Sequence, residues 1–303
     1  MLDILPTELA IAVIRFAAHS WRFTDRRTLV NLATTSSSSY QIVAPILYHT
    51  IILYNSTVQP FIRFMTDDET AERARRVCAH VRVLHNFTSQ SVSGSSPIVF
   101  EALEEVCATG NVIQQLAETH SSCPFRRITL RSSGFRIASS TWLPLHARSG
   151  ITHICGYLPI FRSDPSWGAF SSDSRQWIRD IVQPLPGLTH LGLVLINVGP
   201  SDEVQQTVQE FNLTALAEAL KEALNHPKME CIALRVCGVF VEQRWEEIVA
   251  TLAAISDARV MVWRDSRLLP TWEHYEFWMI EDVKESRDLW TEAQSLSSSF
   301  NSS

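Results

Sequence analysis

Glycine is scarce in this chain, with ten residues in 303. A loop that cradles phosphate needs glycine where the backbone closes on the ligand, and none of the ten sits in such a loop. A G-x-S-x-G elbow and an H-E-x-x-H pair are also missing. Nucleotide binding and the commoner hydrolase chemistries therefore have no candidate residues, and neither a catalytic residue nor a cofactor is expected. Excess positive charge is lacking too. The net charge is −6, from 26 basic and 32 acidic residues. A protein that relies on a basic field to hold nucleic acid is disfavoured. The longest basic cluster is "RARR" at 73–76.

Long apolar runs are absent as well. No uncharged apolar stretch reaches the 18 or so residues that a membrane span needs, so no membrane partner is expected. Near the N-terminus, Leu9 to Ala18 is apolar except for Arg15. Ten residues could form a signal core, but the acids Asp3 and Glu8 flank it and no basic segment precedes it, so a secretory signal is not expected. The six cysteines (78, 107, 123, 155, 231 and 237) show no paired spacing. They read as buried reduced thiols, which fits the cytoplasm or nucleus. The four Asn-X-Ser/Thr sequons then carry no meaning.

Apolar matter is plentiful, at 46% of residues. That bespeaks a sizeable core, and the length suggests roughly two domains. The first 50 residues predict three short helices. Pro6 suits a first helical position and Glu8 the positive end of the dipole, in a helix running to about His19. "LVNLA" (29–33) follows a polar stretch. "TTSSSS" (34–39) offers several N-caps for "YQIVAPILYHT" (40–50), with Pro45 near the start of a further turn.

Beyond residue 50 the pattern changes. Seven short β-favouring runs occur: "TIILY" (50–54), "VRVLH" (81–85), "RITLR" (127–131), "THICGY" (152–157), "HLGLVLI" (190–196), "CIALRV" (231–236) and "RVMVW" (259–263). Helix-like segments lie between most of them, at about 57–79, 97–119, 173–183, 203–225, 242–255 and 272–293. This alternation predicts βαβ units and a largely parallel sheet. "CPFRRITLRSSG", "LPGLTHLGLVLINVG" and "HPKMECIALRVCGV" each place a turn before an apolar alternation, the skeleton of a leucine-rich-repeat strand. The spacing is uneven between the reference positions Val83, Thr129, Ile154, Leu191, Ile232 and Val260. The reading is a degenerate repeat array, with an ordinary α/β layer fold as the alternative. Ser-rich stretches at 89–96 and 295–303 read as a loop and a disordered tail.

Clusters of chemistry-bearing residue types have plainer readings. Cys78 with His80, and His153 with Cys155, lack a second pair to close a tetrahedral zinc site, so both read as packing and no metal is expected. Cys231 and Cys237 flank one strand and lie roughly 20 Å apart, too far for a disulfide. Asp202 with Glu203, and Glu246 with Glu247, read as solvated helix positions. The C-terminal Trp272, Trp278 and Trp290 could anchor a partner, but a cap over the end of a repeat array is the favoured reading. Arg131, Arg235 and Arg264 could line a target-binding face or form solvated edges.

The opening carries a resemblance. "LPTEL" and an apolar helix, followed at compatible distance by "LATTSSSSYQIVAPILYHTIIL", resemble the F-box motif over residues 4 to 53. The matching positions of the second half are Leu32, Ala33, Ser36, Ile42, Val43, Pro45, Leu47, Tyr48, Ile51 and Leu53. Ser39 takes the family's Trp or Phe slot, with Tyr40 beside it, a departure that would weaken the local core or shift the register by one. An F-box followed by degenerate leucine-rich repeats is a fungal-type arrangement. The resemblance implies an α/β protein with a three-helix F-box-like unit (1–53), an irregular leucine-rich-repeat-like array with a largely parallel sheet (54–294), and a Ser-rich tail (295–303).

It further implies the substrate-recognition subunit of a cullin–RING (SCF-type) ubiquitin ligase, itself without enzymatic activity. The F-box would dock on a Skp-family adaptor, and through it on a cullin scaffold, by Leu5, Pro6, Leu9, Val13, Leu32, Val43 and Leu47. The repeats would hold a target protein. The residues themselves fit docking. Leu5, Leu9, Val13 and Phe16 form one helical stripe, and Ile11, Ile14 and Ala18 another. One stripe can pack on residues 29–49, which leaves the other for a partner or for residues 50–85. The alternative is an adaptor-independent interaction scaffold whose F-box-like helices only cap the array, with the Leu5/Leu9/Val13 stripe buried in its own chain.

Overall fold

A computed structural model describes residues 6–88, 100–119, 125–131, 143–160, 181–197, 212–267, 281–283, 285 and 287–295. Leu5, the loop at 89–96, most of the segment expected at 173–183, half of that at 272–293, the start of that at 203–225, and the tail beyond Ser295 lie outside them. The chain forms two compact units. One is Met1–Cys107 with Gln115–Pro124, and the other is Ala108–Gln114 with Phe125–Ser303.

The first unit opens with three helices, α1 (Thr7–Trp21), α2 (Arg26–Thr34) and α3 (Ser37–Leu47). Each start has a local cause. The Pro6 carbonyl accepts from the Leu9 and Ala10 amides at 2.9 and 3.0 Å. Asp25 caps α2 by accepting from the Thr28 amide, and Ser36 caps α3 by accepting from the Ser39 amide, both at 3.0 Å. Pro45 does not begin a new turn. The helix runs through it to Leu47, and proline this close to the end forfeits only one helical hydrogen bond. Ala18, Leu29, Ala33, Val43 and Leu47 make the core of the three helices, with Ile14, Leu32, Ile46 and Tyr48 packed against it. Ser39 is buried and accepts a hydrogen bond from Ser36 Oγ at 2.9 Å. Tyr40 faces outward. Ser39 thus enters the helical core paired with the capping Ser36.

Strand β1 (Thr50–Leu53) then pairs in parallel with β2 (Val83–Asn86), and β2 with β3 (Glu105–Ala108). The helix expected over 57–79 is two, α4 (Asn55–Thr66) and α5 (Ala71–Cys78). Asp67 separates them: its backbone is extended and its carboxylate accepts from the Glu69 amide at 3.0 Å. The helix expected over 97–119 is strand β3 followed by α6 (Gly110–Thr119). β3 offers only Val106, Cys107 and Ala108 as buried residues, and periodicity cannot tell so short an apolar run from buried helix.

In the second unit β4 (Arg127–Leu130), β5 (His153–Ile160), β6 (His190–Asn197), β7 (Cys231–Cys237) and β8 (Val260–Asp265) pair in parallel in chain order. The α/β class and the parallel pairing follow the sequence. Helices α7 (Leu145–Arg148), α8 (Leu213–Leu224) and α9 (Val239–Ala253) lie between strands. A short α10 (Leu289–Glu292) leads to β9 (Gln294–Ser295), which pairs antiparallel with β8. Ile128, Ile154, Leu191, Ile232 and Val260 stand in one register row and are all buried. Four of the reference positions therefore align, and the fifth partner is Ile128 in place of Thr129. Register holds although the connections differ in length, because a one-residue slip would turn the apolar set over to the other face.

Candidate functional site

Helix α1 presents two apolar stripes with opposite fates. Ala18 is fully buried and Ile14 packs on the core of the three helices. Leu9, Val13 and Phe16, spaced four and three residues apart, are 53, 59 and 77% exposed. Residues at that spacing lie one above the other on a helix face. Three large apolar side chains in a row on an outward face are the mark of an interaction surface. Pro6 is exposed at the start of the same helix.

The other expected docking residues lie elsewhere. Val43 and Leu47 are buried in the core of the helices, at 0 and 6% exposure, and Leu32 is half-buried against it. Val43 and Leu47 thus hold the helices together in the free chain. Every third or fourth residue of α3 must turn inward for three short helices to share a core, and these are the ones that do.

The end of α1 is tied to β1 by a contact the sequence did not reveal. Arg22 donates to His49 Nδ1 at 2.7 Å and to the Thr50 hydroxyl. His49 must be unprotonated at Nδ1 to accept. Burial, with Arg22 and Arg82 nearby, lowers its pKa to about 4.

The second unit carries a different arrangement on the sheet face opposite the Ile128–Val260 row. His153 and His190, register partners on β5 and β6, stack with ring centroids 4.1 Å apart. Each Nδ1 lies 2.8 Å from the hydroxyl of the preceding threonine, Thr152 or Thr189. The Trp290 ring stands T-shaped to both, its centroid 5.3 Å from each. Burial, then the neighbouring ring and Arg127, lowers the His153 pKa to about 4, against a partial upward pull from Asp288. Burial also lowers that of His190. Beside them, Leu289 and Ala293 join Cys231, Ala233 and Trp263 in one apolar cluster, with Cys155, Met261 and Trp290 packed against it.

Charge fixes this C-terminal segment at two places. Arg127 on β4 pairs with Asp288 at 3.0 Å. Further on, Arg235 donates to Asp265 at 2.6 and 3.0 Å and to Asp282 at 2.7 Å, while Arg267 reaches both carboxylates at 2.7 Å. The Arg235 guanidinium also lies over the Trp263 ring at 3.9 Å. Burial alone would raise the Asp265 pKa, but Arg267 and Arg235 hold it below its ordinary value.

Several expectations change accordingly. Arg235 is buried in an ion-pair network and Arg131 is buried too, so neither lines a solvated face; Arg264 is exposed and lies 5.3 Å from the Trp245 ring. Trp290 lies on a sheet face, whereas Trp272 and Trp278 fall outside the described residues. Cys78 is buried, donates to Met65 Sδ at 3.9 Å, and has its thiol pushed up to about 12 by burial. Cys231 and Cys237 are free thiols. Glu246 and Glu247 are exposed, and Glu247 pairs with Arg244 at 2.7 Å. Among the described residues no group of three or more His, Cys, Asp or Glu could hold a metal ion, and no helix is long and apolar enough to cross a membrane. The signal that sequence reading passed over is the Thr-His pair shared by "ITHICG" and "LTHLGL" at the start of adjacent strands.

No family model and no curated protein matches the chain.

Proposed function

We propose that the chain is a substrate-recognition subunit of an SCF-type cullin–RING ubiquitin ligase. In this reading its first three helices are an F-box-like unit, and the strands and helices after them form an irregular leucine-rich-repeat-like array. The stripe of Leu9, Val13 and Phe16, with Leu5 and Pro6 ahead of it, docks on a Skp-family adaptor. The sheet unit holds a target protein, and the subunit catalyses nothing. It raises the effective concentration of target near the conjugating enzyme, in the cytoplasm or nucleus, and so directs ubiquitin-dependent degradation.

The observation that carries this reading is the exposure of Leu9 and Val13 within a stretch that resembles an F-box. A helix that only capped the rest of the chain would turn that stripe inward. The bare stripe therefore favours docking over the adaptor-independent scaffold. Titration of the full chain with the adaptor tests it: binding at micromolar concentration or better is expected. Leu9→Asp with Val13→Asp should abolish binding and leave the thermal unfolding midpoint in place, because both positions face outward. Absence of binding by the wild-type chain at tens of micromolar would overturn the reading.

A further inference from the structure

The sheet face bearing His153, His190, Gly192, Cys231 and Ala233 is covered by the one-turn helix α10. One position is shaped for this cover. A Cβ built on Gly192 would meet Leu289 Cδ2 at 2.7 Å and Trp290 Cη2 at 2.9 Å, closer than carbon atoms approach. Glycine at that point of β6 opens the seat into which Leu289 and Trp290 drop. Beside the seat, Arg127 meets the Asp288 carboxylate. The seat thus reads three consecutive features: an acid, a leucine and a tryptophan.

The cover itself is slight. Leu289–Glu292 is four residues long, Thr291 and Glu292 are exposed, and Trp290 remains partly open to solvent. Such a segment cannot hold its shape alone, because one helical turn is below the length at which helices persist in water. Its conformation is imposed by the seat. A segment of this kind opens at lower free energy than the strands beneath it.

We propose that this face is a peptide-binding site for an acid–Leu–Trp segment of a partner protein, occupied in the free chain by Asp288–Leu289–Trp290 as an internal competitor. The acid pairs with Arg127. The leucine fills the hollow over Gly192, Cys231 and Ala233. The indole packs T-shaped against the stacked imidazoles. The partner class rests on the reading of the sheet unit as the target-holding part, and gives that reading a recognised motif and a self-blocked resting state. The ion pairs of Asp282 with buried Arg235 and half-buried Arg267 stay intact during exchange and keep the displaced segment tethered.

The test uses the full chain and a fluorescent peptide of residues 281–295. Asp288→Ala with Trp290→Ala weakens the internal competitor and leaves the seat untouched. That variant is expected to bind the peptide about tenfold or more tightly than the wild-type chain does. Adding Gly192→Val, which fills the seat, should remove binding. Peptides with alanine at the acid or at the tryptophan should bind less well than the parent. Equal binding by the wild-type chain and the double variant would overturn the proposal. So would peptide binding that survives Gly192→Val. Loss of the sheet's circular dichroism in the double variant would overturn it too, since a competitor that can leave its seat is not needed for the seat to exist. The readout involves no adaptor, so failure here leaves the docking of α1 standing, and failure of adaptor binding leaves this site standing.

Discussion

Two apolar surfaces of this protein, the outer stripe of α1 and the sheet face under α10, start from similar chemistry and end differently. The stripe is built of large apolar side chains, and the sheet face pairs small residues, Gly192, Cys231 and Ala233, with large ones from its cover, Leu289 and Trp290. On α1, Leu9, Val13 and Phe16 stay 53–77% exposed. On the sheet, Cys231, Ala233 and Trp263 are at most 9% exposed, because Leu289, Trp290 and Ala293 lie on them. Burying a side chain of this size stabilises by roughly 1.5–3 kcal/mol. The sheet face has gained that within the chain, and the stripe of α1 has not. Under the two proposals above, a partner meets the stripe directly, whereas the seat is first vacated.

The largest effect is expected at the charges that anchor the cover. Arg235→Ala strips Asp265 and Asp282 of a shared partner inside the fold, and removing one member of a buried pair costs about 3–5 kcal/mol. Urea unfolding of the second unit's strands should show a loss of that order; a loss below about 1 kcal/mol would mean that the network is not buried in solution. Next comes a matched pair of truncations within the three helices. Leu29, fully buried, should cost about 2–5 kcal/mol on change to alanine, whereas Phe16→Ala should stay within about 0.5 kcal/mol of the wild type. Similar losses at both positions in denaturant titrations would show that the stripe is core.

A smaller effect is a pH dependence shared by the two regions. His49 and His153 both have pKa values of about 4 in the folded chain, below the ordinary 6.5. The unfolded chain therefore binds their protons first. Their contribution is complete above about pH 6.5 and is lost as pH falls towards 4. His153 lies among Arg127, His190, Asp288 and Trp290, and His49 accepts from Arg22. His49→Gln and His153→Gln should each flatten the slope of stability between pH 6.5 and 4 measured by thermal unfolding; an unchanged slope in both variants would contradict the assignment.

The seven β-favouring runs of the sequence all became strands, since β-branched alternation of four to eight residues reports its own conformation. β3 is not legible in the sequence because Glu104 and Glu105 precede just three apolar residues, and a helix fits that stretch as well. The break between α4 and α5 rests on one aspartate whose side chain closes a turn, a detail that helical periodicity smooths over. The two stripes of α1 were legible as stripes, but which one faces inward depends on Leu29, Ala33, Val43 and Leu47 meeting in space. Least legible was the cover on the sheet. Arg127 and Asp288 stand 161 positions apart, and Gly192 looks like any strand glycine until Leu289 and Trp290 are set above it. The tryptophans predicted an apolar contact for the C-terminal segment without saying against what.

Whether the stripe of α1 is bare in the free protein can be read by photochemical footprinting of the full chain, with and without the Skp-family adaptor. Leu9, Val13 and Phe16 should label strongly in the free chain and become protected when the adaptor is added, with Ala18 and Leu29 silent throughout. Protection of Leu9, Val13 and Phe16 in the free chain would contradict the account, because the stripe would then already be covered by its own protein.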